Sequence, residues 1–225
     1  MSISSHILLQ NHQSSHILTS SSYFRSGVYK PPHFPYTLGR EASGTIVSTG
    51  ASAPSDLTPG TRVAYMGQAA YAEYTAAPGN YTIPIPNSIS TKTAAASLLQ
   101  ALTAVTLIRD AYEVKEGDWI LVTAAAGGAG LWLCQLLKAV GARVIATAST
   151  EEKRALAKEN GAEVVLGYDD VSEKVMEITG QEGVHAVFDS VGKSTFDSSL
   201  SVVRRKGTMC SFGNASGPVE GFALA

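Results

Sequence analysis

Trp119-Ile-Leu-Val-Thr-Ala-Ala-Ala-Gly-Gly-Ala-Gly130, followed by Leu131-Trp-Leu-Cys-Gln-Leu-Leu-Lys-Ala-Val140 and Gly141-Ala-Arg-Val-Ile-Ala-Thr-Ala-Ser-Thr150, is the stretch that decides the fold. A short apolar run, Ile120-Leu121-Val122, meets a segment of only Ala and Gly from Ala124 to Gly130. Helical apolar spacing runs from Leu131 to Val140 and stops at Gly141. A second apolar run, Val144-Ile145-Ala146, follows. Strand, glycine turn, helix, strand is the unit that sets a pyrophosphate on a helix N-terminus. The turn reads Ala125-x-Gly127-x-x-Gly130, a G-x-G-x-x-G with Ala in its first place. Gly127 lets the backbone approach a pyrophosphate, and Gly128 and Ala129 beside it are further cofactor-binding candidates. Gly130 lets the helix close on the strand.

From Trp119 onward strands and helices alternate. The pattern predicts strands near 119–124, 143–147, 163–166, 184–188 and 207–212, with helices near 129–140, 151–160, 171–179 and 194–203. That rhythm implies a doubly wound parallel sheet. Five strands are visible where a complete two-half dinucleotide fold has six. The expectation is an α/β chain whose Rossmann sheet lacks its last strand.

The preceding part reads as β-rich. Gly44 to Ser48, Arg62 to Tyr65 and Ala72 to Ala76 are strand candidates. Ile83-Pro84-Ile85-Pro86 reads as an edge or a linker, because each proline removes a ladder donor. Ser90 is an N-cap candidate for a helix reaching Ala111. Residues 1–22 are Ser-rich and hold no Lys, Arg, Asp or Glu. Ser4-Ser5-His6-Ile7-Leu8 recurs as Ser14-Ser15-His16-Ile17-Leu18. They are expected to be a disordered or non-native leader, not a targeting segment. The expected domains are therefore a leader at 1–22, a β domain at 23–110 and a dinucleotide-binding domain at 111–225.

Composition narrows the partners. The 225 residues are 44% hydrophobic, enough for a buried core, and carry a net charge of −2. No basic field attracts nucleic acid. Two cysteines, Cys134 and Cys210, make no disulfide framework, and a reducing, cytoplasmic compartment is expected. Apolar runs break well short of a membrane span, so no membrane partner is expected.

The end of the second strand names the cofactor. Sites for NADH place an acid there to bind both ribose hydroxyls. Thr147-Ala148-Ser149-Thr150 has none, and Lys153 and Arg154 follow one turn later. Ser149 and Lys153 are donors suited to a 2′-phosphate, so NADPH is expected. Glu151 and Glu152, at a helix N-terminus, interact with its dipole.

At this point a resemblance is visible. Tyr23-Phe-Arg-Ser-Gly27, Gly39-Arg-Glu-Ala42, Gln100-Ala-Leu-Thr-Ala104, Ala124 to Gly130, Phe188-Asp-Ser-Val-Gly192 and Ser211-Phe-Gly-Asn-Ala-Ser-Gly217 stand in the order found in zinc-free, ζ-crystallin-like NADPH:quinone oxidoreductases. These belong to the medium-chain dehydrogenase/reductases. The resemblance implies a GroES-like catalytic domain ahead of the Rossmann domain, and hydride transfer from NADPH to a quinone or enone acceptor. It places Tyr23 near nicotinamide and acceptor, Thr103 near the nicotinamide and Tyr168 near the 2′-phosphate. Ser190 and the loop Phe212–Ser216, with Asn214 and Ser216, fall at carboxyl ends of strands four and five, where ligands bind in open sheets. Where zinc enzymes of the superfamily carry Gly-His-Glu, this chain has Gly39-Arg40-Glu41. Its five histidines are scattered, and a set of three protein ligands does not assemble.

The resemblance also implies missing flanks. Family members carry β-structure before the Tyr23 motif, with an Asn where Leu18 stands here. They continue beyond Ala225 with a sixth strand and, usually, a dimer contact. The chain is expected to be truncated at both ends. An enoyl or enone reductase of the same superfamily is the second reading. A non-catalytic NADPH- or RNA-binding role, known in this branch, is the third.

Overall fold

The computed structural model describes residues 6–15 and 19–221, which form two units: one up to Leu99 and one from Gln100 onward. The expected domain boundary, at 110/111, thus falls eleven residues earlier.

The first unit is a five-stranded antiparallel sheet. Its strands are β1 (His6–Ser15), β2 (Glu41–Thr49), β3 (Arg62–Met66), β4 (Tyr74–Pro78) and β5 (Thr82–Pro84). Their order is β4-β1-β2-β3-β5. The proline-bearing strand β5 is at the sheet edge, where a missing N–H costs nothing. β1 corrects the expectation of a leader. It lies inside the sheet, with Ile7 opposite Thr49 of β2 and Ala77 of β4. Ile7 and Leu9 are fully buried while Leu8 and Gln10 face outward, the strand period of two. They join Ala42, Ile46, Val63 and Tyr65 in the core. Leu18 and residues 1–5, part of the leader reading, lie outside the described residues. A short helix, α1 (Thr19–Arg25), carries Tyr23.

β2 begins at a tight place. Gly39 has φ +105°, and a Cβ there would approach the Tyr71 backbone nitrogen to 2.6 Å, so only glycine fits. Two residues on, the fully buried Glu41 accepts a hydrogen bond from the Leu99 backbone N–H at 2.7 Å. Burial pushes the Glu41 carboxyl up to about 7, against the pull of that N–H. Its folded pKa therefore exceeds the unfolded value. The stability it confers is full below about 4.5 and is lost as pH rises through about 7, a change on the order of 1–3 kcal/mol. Glu41→Gln keeps an acceptor for Leu99 without the charge. Thermal melts from pH 5 to 8 should decline for the wild type and stay flatter for this variant. Parallel profiles would contradict the assignment.

Helix α2 (Thr91–Thr106) starts where expected: the Thr93 N–H donates to Ser90 Oγ at 3.0 Å. It ends in a π-helical turn, Leu107–Ala111. Thr91–Ala111 is long and apolar enough to cross a membrane by length and composition alone. Its Ala104, Leu107 and Ile108 pack instead into the core of the second unit.

That unit is a five-stranded parallel sheet: β6 (Trp119–Val122), β7 (Arg143–Thr147), β8 (Val164–Leu166), β9 (Val184–Asp189) and β10 (Val203–Ser211), in the order β10-β9-β6-β7-β8. The helices are α3 (Gly128–Val140), α4 (Glu151–Glu159), α5 (Val171–Ile178) and α6 (Phe196–Ser201). The central strands β6, β7 and β9 are buried on both faces, which explains their apolar runs, while the edge strands β8 and β10 are only partly buried. Ile120, Val122, Val144 and Phe188 meet Leu133 and Leu137 of α3 on one side. Leu121, Ile145 and Val187 meet Val171 and Val175 of α5 on the other. Gly141 ends α3 in the left-handed conformation, φ +87°. Winding outward from β6 in both directions places the switch point between β6 and β9.

Candidate cofactor site

The carboxyl ends of β6 and β7 open into a cleft of about 180 Å³, lined by Ala124, Gly127, Ala148, Ser149, Lys153 and Tyr168. Its floor is the loop after β6. Ala125 N–H donates to Thr147 O at 3.0 Å, stitching the loop to β7. Ala124 takes a left-handed φ of +48°, unusual for a residue with a Cβ, and turns the chain into α3. Gly127 is the N-cap, so the first N–H groups of α3 have no helical partner. A Cβ on Gly130 would come within 2.6 Å of both Ala124 O and Ala125 Cα. Helix and loop therefore touch through bare backbone, and the N-terminal dipole faces the cleft edge.

The far wall is the first turn of α4. Thr150 caps it, accepting from Lys153 N–H at 3.3 Å. This sets the Lys153 side chain back across the turn, with Nζ 3.5 Å from Ser149 Oγ. Arg154 turns aside and donates to Ala148 O at 3.3 Å. The Glu152 carboxyl is held below its ordinary range by hydrogen bonds from its own N–H and the Thr150 hydroxyl. Neither Glu151 nor Glu152 is among the cleft residues. Tyr168, after β8, reaches over from the third side, and its hydroxyl accepts from Ala124 N–H at 3.2 Å. An amine, a hydroxyl and a phenol thus converge beside bare glycine backbone. Such a donor set fits an anionic phosphate ester, and β7 ends without a carboxylate to repel it.

A wider cleft of about 310 Å³ shares Ala124, Ser149, Lys153 and Tyr168, and continues to Val191, Ser194, Ala215 and Ser216. Ser216 Oγ accepts from Ser194 N–H at 2.9 Å and donates to Val191 O at 2.8 Å, lacing the loops after β9 and β10 together. Of the residues expected here, Gly127, Ser149, Lys153, Tyr168 and Ser216 line a cleft. Gly128, Ala129 and Gly130 form the first turn of α3. Ser190, Phe212 and Asn214 are not lining residues and are held by backbone hydrogen bonds. Ser190 N–H donates to Thr123 Oγ1, Phe212 N–H to Asp189 O, and Asn214 O accepts from Gly217 N–H. Thr103 lies on α2 and is not a lining residue. Tyr23, in the first unit, is half-buried and meets the Tyr29 ring edge to face at 5.2 Å.

Ala215 stands inside the expected loop Phe212–Ser216, whereas Val191 and Ser194 were missed as lining residues. The Asp189-Ser190-Val191-Gly192 run after β9 was their only signal. Among the described residues no group of three or more His, Cys, Asp and Glu side chains is placed to hold a metal ion. Burial pushes the Cys134 thiol up to about 12 and raises that of Cys210, so neither is a thiolate at neutral pH.

Two family models match. Residues 5–87 match the alcohol dehydrogenase GroES-like domain, and residues 128–225 the zinc-binding dehydrogenase model. The first match takes in β1, in agreement with its place in the sheet. A probable quinone oxidoreductase of Schizosaccharomyces pombe is 47% identical over 90% of this chain and 62% of its own length. A 2-haloacrylate reductase of a Burkholderia species is 35% identical over 88% of this chain and 62% of its own. The crystal structure of Escherichia coli quinone oxidoreductase complexed with NADPH superposes with a TM-score of 0.94. It is 39% identical, over 98% of this chain and 68% of that one. The chain thus spans about three fifths of the length of its curated relatives. Fold, motif order and these likenesses agree: the chain belongs to the quinone oxidoreductase family of the medium-chain dehydrogenase/reductases.

Proposed function

We propose that this chain binds NADPH in the cleft between α3 and α4 and serves hydride transfer to a quinone. The observation that carries the proposal is the meeting of Ser149, Lys153 and Tyr168 at an acid-free strand end beside the bare turn at Gly127. In this reading Lys153 and Ser149 hold the 2′-phosphate, with Tyr168 against the adenosine side. Gly127, Gly128 and Ala129 present backbone N–H groups of α3 to the pyrophosphate. Ser216, and the backbone about Ser190, Phe212 and Asn214, shape the remaining wall. Thr103 and Tyr23 are assigned to the nicotinamide and the acceptor, Tyr23 to orient or protonate the reduced oxygen. Bound NADPH supplies the hydride, and the quinone takes it with one proton to become the hydroquinone. Two unpaired thiols suit the cytoplasm.

Reduction of an activated C=C bond is the second reading, favoured by the likeness to a 2-haloacrylate reductase. Following NADPH oxidation with a benzoquinone and with an enone, side by side, tests the proposal. Faster turnover of the quinone is expected. Turnover of the enone alone would move the chain to the second reading. Saturable NADPH binding without turnover of either would assign it a binding role.

A further inference from the structure

One fully buried carboxylate has no place in the scheme above. Asp189, the last residue of β9, has no exposed surface. Its Oδ1 accepts from Val191 N–H at 2.8 Å, Gly192 N–H at 3.0 Å and Thr123 Oγ1 at 3.2 Å. Its Oδ2 accepts from Thr195 Oγ1 and Ser199 Oγ, both at 2.7 Å. Five donors satisfy this charge, and they come from the end of β6, the turn after β9 and helix α6. Thr123 Oγ1 in turn accepts from Ser190 N–H at 3.0 Å. The Thr123–Asp189 contact therefore spans the switch point between β6 and β9.

What the network holds is the wall of the wider cleft. Val191 and Ser194 belong to the turn clamped by Asp189, and Ser216 is laced to that turn. The narrower cleft, with Gly127, Ser149, Lys153 and Tyr168, has no atom in the network. A dinucleotide lies across the switch point, one mononucleotide half on each side.

We infer that Thr123 and Asp189 are positioning residues for the nicotinamide half of the cofactor, and leave the adenosine half untouched. The inference rests on the NADPH reading above. Buried, hydrogen-bonded carboxylates fix geometry because every alternative arrangement strands a donor. Here the geometry fixed is that of the turn 190–195.

The test compares two ligands on one variant. Adenosine 2′,5′-bisphosphate occupies only the Lys153 side, whereas NADPH occupies both. Thr123→Val keeps the shape but deletes the donor to Asp189 and the acceptor for Ser190. NADPH should bind about tenfold more weakly to it, and the bisphosphate within about twofold of the wild type. Thr123→Ser, which keeps the hydroxyl, should restore NADPH affinity. Ser199→Ala removes a donor on the side of Asp189 away from β6, and should show the same split more weakly. If the valine variant does not fold, the split in the Ser199 variant decides. Equal losses for both ligands, or a loss for neither, would overturn the inference while leaving NADPH binding in place. A wild-type chain that binds neither ligand would overturn the NADPH reading, and the inference with it.

Discussion

Replacing Gly130 by valine should abolish NADPH binding, raising its Kd by about a hundredfold or more, and should lower the thermal midpoint of the second unit. A Cβ at this position meets Ala124 O at 2.6 Å, Ala125 Cα at 2.6 Å and Ala125 C at 2.7 Å. All three are backbone atoms of the loop that forms the cleft floor. They cannot rotate away, so the N-terminus of α3 must retreat and the loop must open. Overpacking of this kind costs about 1–3 kcal/mol for added methylenes in a rigid site. The cost falls on the junction that sets the N-terminus of α3 against the loop after β6. Gly128 is the internal control. Its Cβ would meet the end of the Gln100 side chain, which can swing aside. Gly128→Ala should therefore fold with a midpoint closer to the wild type than Gly130→Ala. Fluorescence titration and thermal melts on the variants check both statements. A Gly130→Val chain that binds NADPH normally would show that the close approach of helix and loop is dispensable.

Lys153→Ala is the second large effect, and it is selective. NADPH and NADH differ only in the 2′-phosphate, and Lys153 Nζ stands beside Ser149 at the acid-free end of β7. A charge-assisted hydrogen bond to phosphate contributes roughly 1.5–3 kcal/mol, which corresponds to about 10- to 100-fold in Kd. The loss should appear for NADPH and stay within about twofold for NADH. Added salt should shrink the difference, since the amine is exposed. Equal losses for the two cofactors would refute the assignment of the phosphate to Lys153. The backbone cap of α4 is left in place, because Thr150 Oγ1 binds the Lys153 N–H and not its side chain.

The second unit was legible because its signals are local. Ile120-Leu121-Val122 and Val144-Ile145-Ala146 announce buried strands, Gly141 marks the end of α3, and Thr150 caps α4 within the next turn. Every predicted strand and helix from Trp119 onward has its counterpart, with ends shifted by a few residues. β1 was not legible. Its partners are β2 and β4, some 30 to 70 residues away in sequence. The Ile7-Leu8-Leu9 triplet hides the alternation that the sheet reveals, and the Ser-rich repeat around it imitates low complexity. Only packing shows Ile7 and Leu9 buried and Leu8 exposed.

The candidate cofactor site divides in the same way. The glycine turn and Lys153 were readable from spacing along one βαβ unit. The loop Phe212–Ser216 was named by the resemblance, but its pairing with Val191 and Ser194 was not readable, because that wall joins two loops that follow different strands. Asp189 stood in plain sight within Phe188-Asp-Ser-Val-Gly192, yet nothing local tells a buried five-donor carboxylate from a turn residue. The partner that reveals it, Thr123, lies 66 residues earlier.

The most direct test of NADPH binding in the α3–α4 cleft is an isothermal titration of the chain with NADPH and, separately, NADH. Saturable binding of NADPH, at least about tenfold tighter than NADH, is the expected result. Equal affinities, or no heat of binding at millimolar NADPH, would contradict it.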